Sequence, residues 1–433
     1  MIPLFQNNEL TGEARKRFFK RSQADIDAVA ESVRNWINRI RAEGDSAILE
    51  YVRMFDTPEF SQEDIRVSSD DIQKAYKMLA PETVEVMRKQ ISLSKAFHEE
   101  QACRLFQEKK WEMHTAPGVR VGSQTLPVSS AGLYVPAGSA PLPSTAQLLT
   151  VAAKCAGVPR VAVCFPPTAF HPEIIVAADI AGADEIYRVG GVAAIAALAY
   201  GTESITPVDT IAGPGSPWVQ AAKLQVFGQV GIDMIAGPSE GLLLADETGI
   251  PAWIAADILA RCEHGADSCM PLVTTSRELA KKVQTEITRQ FSKCGRKAII
   301  EKAFRNGYNG IFLVSSEEEM IAFANEYGAE HLQISTENPT RIFEKITNAG
   351  SVFLGHLTPI PLGDYASGTN HVLPTGPSVR FSSPVGVETF LKTMEFQEVT
   401  QEGLSELAPI VKTLADIEGL DAHKNSVFIR LSS

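Results

Sequence analysis

The sequence predicts an α/β protein built from two Rossmann-like, parallel-sheet halves, and three observations lead there. Between Val161 and Phe227, short apolar strands alternate with helices through glycine turns. A second series of the same kind runs from 251 to 354. The 433 residues are also too many for one compact core.

The elements follow in order. Ile26, Val29, Ala30, Val33, Trp36 and Ile37 recur at helical spacing and predict a helix over 23–55. Ser68 and Ser69 are candidate N-caps for a second helical stretch that continues past Met87. From Trp111 to Val135 the pattern changes to β-rich segments, WEMHT, VRVGSQ and GLYVP. Then come strand Val161–Phe165, helix Pro172–Ala181, strand Glu185–Val189, helix Val192–Tyr200, strand Thr210–Ala212 and helix Ser216–Phe227. The second set is helix 251–263, strand 271–275, helix 277–291, strand 310–314, helix 316–327 and strand 351–354. After Pro374 the chain reads as loop, one helix at about 403–417, and a short tail. Two similar turns, IAGPGS at 211–216 and IAGPSE at 235–240, read as strand ends. Ligands of open α/β sheets bind at strand carboxyl ends, so both turns are expected to border one site, or else to be plain turns.

Composition narrows the function. A net charge of −12 without a basic block argues against a nucleic-acid partner. The six cysteines are scattered with no C-x-x-C pair and read as reduced thiols. No apolar run is long enough to span a membrane, and no signal-peptide pattern opens the chain, so a cytoplasmic protein is expected. No G-x-G-x-x-G follows a strand, so the pattern alone names no cofactor.

Histidines and carboxylates sit together in several places. His264 lies in RCEHGADS, followed by the helix-stopping Gly265. Glu330 and His331 close a predicted helix in NEYGAEHLQI, Asp364 and His371 flank the loop GDYASGTNHVLP, and Glu418 and His423 lie in EGLDAHKN. Imidazole and carboxylate are ligands for an ion such as zinc, and a Glu-His pair can take a proton from an alcohol. Taken singly, a His beside Gly is more often a capping or hydrogen-bonding residue than a ligand, an adjacent Glu-His is common by chance, and DYASGTNH reads as a tight loop.

As a series they say more. GLYVPAGSAPLPST, YRVGGVAAIAALAYGTES, IDMIAGPSE, EHGADS, NEYGAEHL, AGSVFLG, GDYASGTNHVLPT and EGLDAHKN resemble, in that order, the motifs of the histidinol dehydrogenase family from roughly Ala131 to the C-terminus. The resemblance implies oxidation of L-histidinol to L-histidine through the aldehyde with NAD, one zinc ion per subunit, and a homodimer with swapped arms. It implies Glu330 and His331 as the catalytic acid/base pair. It gives Ser239, His264, His331, Asp364, Glu418 and His423 as substrate contacts, with His264, Asp364 and His423 as zinc ligands. Glu418 and His423 would reach the partner subunit's site. Tyr134, Ala193 and Ser216 fall at the nucleotide-contacting positions. The division expected is an N-terminal arm (1–23), a larger α/β domain (24–130 plus 239–378), a nucleotide-side domain (131–238) and a C-terminal swapped arm (379–433).

Three departures matter. Arg261 stands where the family has a zinc-ligating glutamine. Arginine stays protonated and cannot coordinate metal, but on the helical face of His264 it points into the same space as a substrate contact. Cys262 replaces that ligand only if the helix unwinds. Ala193 and Ser216 stand where the family has amides, a loss of about 0.5–1.5 kcal/mol of hydrogen bonding each. Ala137 alters the VPGG turn. Two other readings therefore stand beside histidinol oxidation. One is a related dehydrogenase of an anionic alcohol held by Arg261. The other is a catalytically degraded dimer kept for binding.

Overall fold

The computed structural model describes residues 2–21, 26–137 and 141–432. Six strands form one sheet, in the spatial order Leu4–Gln6, Ile311–Leu313, Leu272–Thr274, Gly241–Ala245, Ala329–Ser335, Ala349–Leu354, and every pairing is parallel. A second sheet runs Glu185–Tyr187, Arg160–Cys164, Ser130–Tyr134, Thr210–Ala212, Gly231–Ile232, again all parallel. Parallel strands need helical crossovers, and the helices bury both faces. That is why SAGLY and GLLLA are buried at every position instead of alternating. The two-part α/β architecture is as predicted.

Several details differ from the sequence reading. The helix expected over 23–55 is two helices, Ala30–Glu43 and Asp45–Phe55, hinged at Gly44 with φ at +59°. A side chain there would also collide with the Glu203 carboxylate. Residues 23–25 of that expected helix lie outside the described residues, as does the 23/24 domain limit. Ser68 caps helix Ser69–Met78 by a reciprocal bond with Asp71, but the helix stops before Pro81. Proline holds Ala80 extended, and a separate helix, Pro81–Phe106, begins there.

These helices, expected beside residues 239–378, pack on the five-stranded sheet instead. Val33, Ile37, Ile48 and Val52 meet Tyr134, Ala162, Val192 and Leu198. Ala75, Met87 and Ala102 share a core with Leu133, Leu149 and Ile175. An apolar stripe says that a helix is covered, not by which sheet. The N-terminal segment, expected as an arm, supplies edge strand Leu4–Gln6 of the six-stranded sheet.

The C-terminal region holds more structure than expected. Strand Leu391–Val399 runs antiparallel to Val119–Pro127, which also pairs with Lys110–Ala116. Two helices follow, Gln401–Glu418 and Asp421–Leu431. Ile410, Leu414, Ile417 and Ile429 on them are exposed. No helix among the described residues is long and apolar enough to cross a membrane.

Candidate active site

A cavity of about 310 Å³ opens where the two sheets approach each other, and both Gly-Pro turns line it. The first, Gly213–Gly215, leaves the carboxyl end of strand Thr210–Ala212 as expected. It is braced by the buried Lys223–Asp233 pair: Lys223 Nζ donates to Gly213 O at 3.0 Å, and Gly213 N–H donates to Asp233 at 2.8 Å. The second turn leads into the amino end of strand Gly241–Ala245 and is not a strand terminus. The six-stranded sheet therefore presents its amino end to the cavity, and the carboxyl-end rule holds for only one of the two sheets.

Glu330 and His331 were expected to close a helix. Helix Glu317–Tyr327 ends earlier, at left-handed Gly328, and both residues begin strand Ala329–Ser335. Parallel pairing sets His331 opposite Gly241, which brings both side chains against the second turn. His331 Nδ1 lies 3.0 Å from the carbonyl of Glu240. A carbonyl only accepts, so Nδ1 carries the proton and the neutral ring keeps its lone pair on Nε2. Nε2 has no hydrogen-bond partner and lies 3.7 Å from Asp364 Oδ1. Burial and Arg261 oppose the imidazolium, but Glu330 and Asp364 outweigh them and raise the His331 pKa. Glu330 Oε2 accepts from Glu240 N–H at 2.7 Å and from Ser239 Oγ at 3.2 Å. One residue's main chain thus orients both members of the pair.

Arg261 ends helix Pro251–Cys262 and is only 4% exposed. Its Nη1 donates to Ser239 Oγ at 2.6 Å, and Nη2 lies 3.7 Å from Asp364 Oδ2. Burial opposes ionisation of Asp364, yet His331 and Arg261 hold its carboxyl below the ordinary range. His264 sits just past the helix end and lines the same cavity. Burial first, and then Arg261, lower its pKa to about 4, which leaves it neutral. Cys262 turns the other way. Its buried thiol faces Asn309 Oδ1 at 3.6 Å, so it does not take over the glutamine's place. On the far wall His371 Nε2 meets Ser144 Oγ at 3.2 Å where helix Pro143–Cys155 begins. Buried Thr145 Oγ1 there has no partner, so this helix start could hold an anionic group of a nucleotide.

The cavity therefore gathers Ser239, Arg261, His264, Glu330, His331 and Asp364. It does not gather the other expected residues. Tyr134 is buried, with its hydroxyl accepting from Gly191 N–H at 3.2 Å. Ala193 is wholly buried among apolar side chains, and Ser216 is exposed before helix Pro217–Val226. Gly138–Ala140 of the VPAG turn region lie outside the described residues. Glu418 and His423 lie exposed on the C-terminal helices.

A family model described as histidinol dehydrogenase matches residues 19–431. A histidinol dehydrogenase from Methanothermobacter thermautotrophicus is 43% identical over 415 residues, 95% of this chain and 96% of that one. The chain belongs to the histidinol dehydrogenase family. Another member, from Methanocaldococcus jannaschii, is 40% identical over 98% of this chain and 97% of its own. The crystal structure of histidinol dehydrogenase from Elizabethkingia anophelis superposes with a TM-score of 0.89 at 36% identity, covering 100% of this chain and 98% of that one.

The zinc implied by the resemblance does not fit the donors present. Of the expected ligands this chain's cavity supplies only His264 and Asp364, and the family's glutamine position is taken by Arg261. Arg261 also places a fixed positive charge beside Asp364, one of the expected ligands.

Two features of the site have no local signal in the sequence. Arg21, wholly buried, pairs with Glu240 at 2.7 Å and lies over the Tyr327 ring, and Gly376 N–H donates to Glu240 Oε1. Asp257 accepts from Gln333 Nε2 at 2.7 Å beside the His264–Asp364 wall, and burial raises its pKa to about 6. A carboxyl raised on folding adds stability below its unfolded pKa of about 3.9, and that stability is lost as pH rises through the folded value. Asp257→Asn should therefore raise the unfolding temperature at pH 7 and flatten its change between pH 4 and 6. Thermal melts across that range check this, and an unchanged slope counts against it.

Proposed function

We propose that this chain is an NAD-linked dehydrogenase that oxidises an alcohol to an aldehyde and then to a carboxylate. Histidinol, which its relatives are named for oxidising, is the first reading of the substrate, taken as the L form, and would place the enzyme in histidine biosynthesis. The observation that carries the reading is the partnerless Nε2 of His331, whose lone pair is fixed by the bond from Nδ1 to Glu240 O. NAD, when bound, supplies the hydride acceptor. His331 Nε2 takes the hydroxyl proton as two electrons leave the carbon with hydrogen, and Asp364 stands beside the imidazolium that forms. In the second oxidation water adds to the aldehyde, Glu330 taking one of its protons. His331 then takes a hydroxyl proton of the hydrate as its C–H hydrogen leaves with two electrons, which a second NAD would accept, and the water oxygen stays in the carboxylate.

Ser239, His264 and Asp364 would contact the substrate, and Tyr134 and Ser216 the nucleotide side. Ala193 carries only a methyl group, so it offers no side-chain hydrogen bond at that position. We assign no step to zinc. We also propose a cytoplasmic homodimer in which Glu418 and His423 of each chain complete the other's site, which the exposed apolar residues of the C-terminal helices support. A second reading, an alcohol carrying an anion, is favoured by Arg261.

Purified protein with excess NAD should release two NADH per L-histidinol and yield histidine. Absence of NADH with L-histidinol overturns that substrate, and absence with every alcohol overturns the dehydrogenase.

A further inference from the structure

Arg261 is a buried guanidinium whose donors are mostly unused. Nη1 donates to Ser239 Oγ, Nη2 stands 3.7 Å from Asp364 and out of hydrogen-bond range, and Nε has no partner. A buried charge with idle donors costs stability unless something completes it. The two carboxylates nearby do not complete it. Glu330 is held by Glu240 N–H and Ser239, and Asp364 stands 3.7 Å from both Arg261 Nη2 and His331 Nε2, an ion pair that fills no donor of the guanidinium with a hydrogen bond. The fork of a guanidinium matches two oxygens of one oxyanion, which a lone ammonium or a neutral hydroxyl cannot offer.

We propose that Arg261 anchors an anionic group at the non-reacting end of the substrate, so that this site takes short alcohols bearing a carboxylate, sulfonate or phosphate and needs no metal to hold that end. The inference rests on the dehydrogenase reading above and deepens its second substrate reading, the anionic alcohol. Asp364 stands equally close to Arg261 and to His331, so the anion and the reacting hydroxyl are bridged by a short chain. An alcohol with an ammonium at that end meets a like charge instead, a direct mismatch for the amine of an amino alcohol. Ser239 Oγ links the two ends, accepting from Arg261 and donating to Glu330, so filling the anion position also fixes the acid/base pair.

The test compares wild type, Arg261→Gln and Arg261→Lys in NADH formation with 3-hydroxypropionate, 3-hydroxypropanesulfonate, glycerol 3-phosphate, the neutral 1,3-propanediol and L-histidinol. Wild type should prefer at least one anionic alcohol to the neutral diol and to L-histidinol by about 100-fold in kcat/KM. That preference should fall at least tenfold in Arg261→Gln, mainly through KM, with Lys restoring only part. Calorimetric titration with malonate, sulfoacetate and inorganic phosphate should show at least one of these non-reacting anions binding wild type and failing on Arg261→Gln, while circular dichroism shows both folded. The proposal is overturned by equal turnover of charged and neutral alcohols, by preference for L-histidinol, by unchanged anion binding in Arg261→Gln, or by loss of anionic turnover on adding chelator. If nothing is oxidised, the dehydrogenase reading fails alone, and the anion titration still decides the role of Arg261. Should the Gln variant not fold, the Lys variant carries the same comparison.

Discussion

Replacing His331 with asparagine should lower kcat about 10²- to 10⁴-fold while leaving alcohol binding nearly unchanged. Asparagine is the informative choice because its amide nitrogen stands near the place of Nδ1 and can still donate to the Glu240 carbonyl, 3.0 Å away in the wild type. What disappears is the lone pair of Nε2, the atom with no partner inside the cavity. Phe353, whose ring stacks 6.0 Å from the imidazole, keeps the local packing. Steady-state kinetics with separate kcat and KM, together with a competitive inhibitor's Kd, read the result. A variant that keeps more than a tenth of the wild-type kcat would remove His331 as the base.

Arg21→Met should destabilise the protein by about 3–5 kcal/mol and lower its activity as well. The pair it breaks is fully buried, with Arg21 Nε 2.7 Å from Glu240 Oε2. Removing the guanidinium strands a carboxylate in the core and frees the carbonyls of Tyr327 and Gly328, which Arg21 Nη2 reaches at 2.9 and 3.1 Å. The activity effect has a separate cause. Glu240 gives its N–H to Glu330 and its carbonyl to His331, so its displacement misplaces both. Adding Glu240→Gln should recover part of the stability, because an amide tolerates burial without a cation better than a carboxylate does. Denaturant melts and NADH formation on the two variants check this. A single variant within 1 kcal/mol of wild type would show that the pair bears no weight.

The alternation of strand and helix from Val161 to Phe227 was readable because its causes are local. Apolar strand runs, glycine turns and helical spacing act over a few residues, and Arg160–Cys164 and Pro172–Ala181 formed close to where they were expected. The gathering of Ser239, Arg261, His264, Glu330, His331 and Asp364 was legible only through the ordered motifs, since no pattern in one segment specifies contact with another. Glu330 and His331 were misread as a helix end because Gly328 stops the helix while apolar spacing continues into a strand. The sequence alone determined the α/β class, the family and the presence of an arginine where a metal ligand was expected. Tertiary structure alone decided which sheet the N-terminal helices cover and that the six-stranded sheet turns its amino end to the cavity. It also decided that Arg21 and Glu240 meet across 219 residues of chain. Those outcomes rest on which buried surfaces and charges find each other in space, a choice that burial and pairing make only once the whole chain is folded.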